Sequence, residues 1–97
     1  MRAVFSTMEV SAYIIVKGLV QGVGYRYFAA SRARQFGLNG TVKNLLNGNV
    51  EIVAEGERTA VEMFMEELKV GPRAAHISGI QIEWKDVHHR YNGFFIE

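Results

Sequence analysis

The dipeptide Asn47-Gly48 restricts the possible folds more than any other feature of this chain. It separates two short runs rich in β-branched residues, Gly40–Leu46 and Asn49–Glu55. Asn-Gly in that setting is the strongest short-range hairpin signal, because both central residues of a type I′ turn need positive φ. The expectation is a type I′ turn joining two antiparallel neighbours in the middle of the chain. Every other element has to be arranged around that pair.

Before the hairpin, Ser11–Lys17 reads as a strand starting near Val10, and Gly18 ends it. Tyr25, Phe28, Ala29, Arg32, Ala33 and Phe36 then recur at helical spacing, which predicts an amphipathic helix ending at Gly37. After the hairpin, Thr59 and Glu62 have the spacing of a capping box at a second helix start. Val61, Phe64, Met65 and Leu68 form that helix's apolar stripe, and Gly71-Pro72 stops it. His76–Trp84 alternates loosely, with a register break near Ser78-Gly79. Lys85–Asn92 reads as a loop and Phe94–Ile96 as a short last strand.

The order is β-α-β-β-α-β with a short terminal strand. Right-handed crossovers place both helices on one face of an antiparallel sheet. The expected fold class is therefore α+β, a ferredoxin-like sandwich. That architecture hosts many unrelated functions, so the site must decide between them.

Ninety-seven residues, 48 % of them apolar, suit one domain. Residues 1–9 read as a loose N-terminal extension and 10–97 as the single domain. A net charge of +1 without a basic stripe argues against a nucleic-acid partner. The absence of cysteine excludes disulfides, thiolate zinc sites and cysteine nucleophiles. No segment approaches the roughly 20 apolar residues of a membrane span. Residues 1–10 lack the apolar core of a signal peptide, so a cytoplasmic location is expected.

The segment with chemical content is Gly18–Arg26, between the first strand and the first helix. Three glycines in seven residues give the backbone access to φ values that side chains forbid. Such a loop can turn successive N–H groups inward as an anion nest. The following helix adds its N-terminal dipole at the same point. Arg26, in the first helical turn, adds a planar fork of donors suited to two phosphate oxygens. The glycine spacing matches neither a nucleotide P-loop nor the dinucleotide fingerprint. A tight turn with a surface arginine is the plain alternative, and for Asn44 it is a local bend before the hairpin turn.

The string Val16–Arg26 (V-K-G-L-V-Q-G-V-G-Y-R) resembles the acylphosphatase signature. A second motif of that family is matched by Gly40–Leu45 followed by Gly48–Ile52. Ala54-Glu55-Gly56, Lys69–Pro72 and Gly93-Phe94 resemble further landmarks, so the likeness runs from about Val10 to Ile96. It implies that the backbone of Gln21, Gly22, Val23, Gly24 and Tyr25, together with Arg26, binds the substrate phosphate. It implies that Asn44 orients the attacking water. Tyr25 stands where the family usually has Phe, and Leu46-Asn47 where it usually has Pro-Asp. The chain reaches Ile96-Glu97 without the basic and aromatic pair often found there, which leaves any role for those terminal groups open.

The implied substrate is an acyl phosphate and the products are a carboxylate and inorganic phosphate. A carboxylate departs without being protonated, so no general acid is required. Catalysis then reduces to positioning and electrostatic stabilisation of a loose transition state. Asn44 can aim a water without titrating. Arg26 and the nest supply the positive field, so no metal, other cofactor or protein partner is expected.

The remaining polar residues read as structural. His88-His89 lacks a third residue at ligand spacing and reads as solvated loop. His76 and Trp84 read as structural or packing residues. Arg32, Arg34, Arg58 and Arg73 read as solvated faces. An RNA-binding module of the same fold would stack bases on aromatics in its central strands, and neither hairpin strand contains one. A non-catalytic anion-binding module of this fold is the remaining alternative. Such domains attached to carbamoyl-transfer proteins usually sit in longer chains carrying zinc-binding cysteines.

Overall fold

A computed structural model of the chain describes residues 8–97. The elements are β1 (Glu9–Leu19), α1 (Tyr25–Gln35), β2 (Asn39–Asn44), β3 (Val50–Glu57), α2 (Arg58–Val70), β4 (His76–Lys85) and β5 (Phe94–Ile96). The sheet order is β4-β1-β3-β2-β5. Glu9, expected in the extension, already pairs with Glu57; residues 1–7 of that extension lie outside the described residues.

The split β-α-β-β-α-β order is as expected, but the sheet is mixed. β1, β2, β3 and β4 pair antiparallel, whereas β5 runs parallel to β2, with Phe94 opposite Gly40 and Ile96 opposite Val42. The physical reason lies in the crossing made by residues 86–93. They carry the chain from the β4 edge to the opposite edge, so β5 enters beside β2 in the same direction. On the way, His88 N donates to Glu55 Oε2 at 3.3 Å.

Alternate residues of the central strands face the helices. Ala12, Ile14 and Val16 of β1 and Val50, Ile52 and Ala54 of β3 are buried with Phe64 and Leu68 of α2. This is the period-two pattern of a half-covered sheet. Helix α1 offers Tyr25, Ala29, Ala30 and Ala33 to the core. Three of those are alanines, so the helix can lie close to the sheet. Phe28 is only half-buried, with the Arg32 guanidinium 4.5 Å above its ring.

Two local expectations need correction. The turn is not type I′. Gly48 N donates to Leu45 O at 3.2 Å, and neither Leu46 nor Asn47 has positive φ. Gly48 alone takes the left-handed position, at φ 95°, as in three-residue hairpin loops. The capping box is also absent. Helix α2 starts at Arg58 with Glu57 as its N-cap residue and no side-chain cap, and Glu62 accepts from Arg58 Nε instead.

Three of the arginines assigned to solvated faces have partners. Arg32 pairs with Glu67 at 2.8 Å, Arg34 donates to Phe94 O at 2.8 Å, and Arg58 lies 4.5 Å over the Trp84 ring. The break in β4 is a bulge: Lys17 faces Gly79 and Gly18 faces Ile77, leaving Ser78 as the extra residue. Among the described residues, no helix is long and apolar enough to cross a membrane.

Candidate active site

The loop between β1 and α1 alternates in backbone sign. Gly22 and Gly24 have φ of 75° and 80°, while Val23 between them stays outside that region. Alternation of this kind turns consecutive N–H groups toward one side. A Cβ built at Gly22 or Gly24 would meet nothing within 4 Å. Glycine is needed there for its dihedral freedom, not for space. Gly24 is the N-cap residue of α1, and no side chain caps the helix. No acidic residue occupies its first turn either. The positive end of the helix is left to whatever enters the loop.

Two side chains hold this loop in place. Gln21 Nε2 donates to Leu45 O at 2.7 Å and to Asn49 O at 2.9 Å. It ties the loop to the tip of the β2–β3 hairpin. Tyr25 is 1 % exposed, and its hydroxyl donates to Leu68 O at 2.8 Å. Burial pushes its phenol above the usual range. The phenylalanine expected at this position would fill the same space without that bond.

Arg26 projects from the first turn of α1. Its Nη1 donates to the main-chain oxygen of Glu97 at 2.8 Å, and Glu97 N donates to Val42 O at 2.8 Å. One donor of the fork is thus anchored beyond β5, and the Arg26 side chain makes no other hydrogen bond among the described residues. Asn44 is the last residue of β2, opposite Val50. Its Oδ1 is buried without a hydrogen-bond partner. It does not serve the turn, where Asn47 Oδ1 accepts from Asn49 N instead.

A cavity of about 140 Å³ joins these groups, lined by Val20, Gly22, Gly24, Tyr25, Arg26, Tyr27 and Asn44. Of the residues predicted from sequence, Gly22, Gly24, Tyr25, Arg26 and Asn44 come together here. Gln21 and Val23 do not line the cavity; Gln21 clamps the loop and Val23 packs against the core. Tyr27 was missed by sequence reasoning. Its signal was a large aromatic directly after the arginine, off the helix's buried stripe. A larger cavity of about 250 Å³ includes Ser11, Tyr13, Glu55, Asp86 and Arg90. It has no glycine loop or helix terminus converging on it.

The acylphosphatase family profile matches residues 12–96. This chain belongs to the acylphosphatase family. It is 50 % identical over 70 residues to an acylphosphatase of Thermus thermophilus, spanning 72 % of this chain and 80 % of that protein. The crystal structure of acylphosphatase from Bacillus subtilis superposes with a TM-score of 0.88 at 38 % identity, covering 91 % of this chain and 98 % of that one. HypF of T. kodakarensis matches with a TM-score of 0.80 and 34 % identity, over 91 % of this chain but 12 % of its own length. The acylphosphatase fold thus occurs both as nearly a whole chain and as a small part of a long one.

Proposed function

We propose that this chain hydrolyses the carboxyl–phosphate bond of acyl phosphates, giving a carboxylate and inorganic phosphate. Family membership supports the reaction, and the cavity supports its stepwise reading. The phosphoryl oxygens are held by the N–H groups of the 21–25 loop and by the free donors of Arg26. The α1 terminus adds to the positive field. Charge builds on the equatorial oxygens in a loose transition state, where such donors act most strongly.

The observation that carries the mechanism is that Asn44 lines the same cavity as Gly22, Gly24 and Arg26. Its side-chain amide holds a water there and turns a lone pair of that water toward the phosphorus. The water attacks in line, the P–O bond to the acyl group breaks, and the bonding pair leaves with the carboxylate. A substrate phosphate oxygen takes the proton from the water. No protein group has to titrate.

Hydrolysis of benzoyl phosphate in EDTA tests this, with Arg26→Ala and Asn44→Ala beside the wild type. Turnover by the wild type and its loss in both variants are expected. A folded wild type without turnover overturns the reading. The reading left is then a non-catalytic module of the same fold that binds anions or acyl phosphates.

A further inference from the structure

The cavity leaves one question to its rim: what touches the acyl part of the substrate. Its volume is about 140 Å³. The part of it bounded by Gly22, Gly24, Arg26 and Asn44 takes the phosphoryl group and the attacking water. The rest of the substrate has to leave through the mouth.

The lining residues can be sorted by what surface they offer. Arg26, Gly22, Gly24 and Asn44 are taken up with phosphate and water. Val20 and Tyr25 are each 1 % exposed, and the Tyr25 hydroxyl is committed to Leu68 O. Neither has surface left for a ligand. Tyr27 remains. It lines the same cavity yet is 76 % exposed. Within a helix its position next to Arg26 sets it off the buried stripe of Tyr25, Ala29 and Ala33.

We infer that Tyr27 is a specificity-determining residue, its ring lying against the acyl group and favouring aromatic acyl phosphates over acetyl phosphate. The inference rests on the hydrolase reading above. Its physical basis is face or edge contact between two rings, which removes apolar surface from water and adds a directional term. The carboxylate being formed is not held by any charge on Tyr27, so the product can leave.

The test is the ratio of kcat/KM for benzoyl phosphate to that for acetyl phosphate, in wild type, Tyr27→Phe and Tyr27→Ala. Comparing each variant's ratio with that of the wild type cancels the intrinsic reactivity of the two substrates. Tyr27→Ala is expected to lower the ratio about 3–10-fold, mainly through KM for benzoyl phosphate, and Tyr27→Phe to keep it. A ratio within twofold of wild type in Tyr27→Ala overturns the assignment. So does an equal loss on both substrates. A wild type that turns over neither substrate sinks the hydrolase reading first, so the two failures are distinguishable.

Discussion

Gln21 Nε2 donates to the Leu45 carbonyl oxygen at 2.7 Å. With its second bond to Asn49 O, it fixes the loop that carries Gly22 and Gly24 against the strand end that carries Asn44. The two halves of the cavity belong to segments far apart in sequence, and this side chain sets their separation. Gln21→Ala removes both bonds, while Leu45 O keeps its bond from Gly48 N and Asn49 O its bond from Leu45 N. We expect about 1–3 kcal/mol lower stability in denaturant titration. We expect about a tenfold fall in kcat at temperatures where the variant is still folded, since misplaced groups lose positioning. Unchanged kcat in the folded variant would show that the clamp serves stability alone.

Arg26→Lys keeps the charge and loses the fork. An ammonium cannot donate to Glu97 O and to two phosphate oxygens in the same fixed geometry. The expected loss in kcat/KM is about 100-fold or more, with a far-ultraviolet circular dichroism spectrum like that of the wild type. Near-wild-type kinetics would remove Arg26 from the phosphate clamp.

Asn44→Ala should separate stability from turnover. The side chain leaves a buried acceptor unpaired in the free protein, so its removal costs no hydrogen bond at Oδ1. Thermal stability is expected to be equal to or above wild type. Turnover should fall about 100–1,000-fold, while the inhibition constant of inorganic phosphate stays within a few-fold. A parallel loss of phosphate affinity would overturn the water-placing role.

The Tyr25 phenol has its pKa raised by burial, so folding favours its neutral form. The sign follows from proton counting. Below the ordinary tyrosine value near 10, the phenol is protonated in both states and this stabilisation is fully present. Above it, the unfolded chain loses the proton and the folded one keeps it, so stability falls as pH rises. Tyr25→Phe should lower the melting temperature near neutral pH through loss of the bond to Leu68 O. A cost of about 1 kcal/mol corresponds to roughly 4–8 °C in a domain of this size. The variant should also show a flatter stability profile from pH 9 to 11. An unchanged slope over that range would assign the alkaline loss to other groups.

The hairpin shows which part of this fold was legible. Asn47-Gly48 located the turn because glycine marks where φ must be positive. The turn type depended on whether Leu46 or Asn47 shared that requirement, which strand pairing settles. Helix α2 was legible from its stripe, since Phe64 and Leu68 repeat at helical spacing and do point inward. The direction of β5 was not, because three residues carry no record of which edge they join. Arg26 and Asn44 were readable through their motifs, whereas the Gln21 clamp was hidden. Its partners lie 24 and 28 residues away, and only the assembled register brings them to it. The same holds for Arg34, whose partner is 60 residues off.

The contact between Arg26 and Glu97 spans 71 residues. A ribosome adding about 5–20 residues per second delivers the arginine several seconds before its anchor. The loop and the start of α1 can form early, but the guanidinium has nothing to brace it until the chain beyond β5 has emerged. A nascent chain that has not yet reached residue 97 therefore carries the loop and α1 without the brace from Glu97 O that fixes the Arg26 guanidinium.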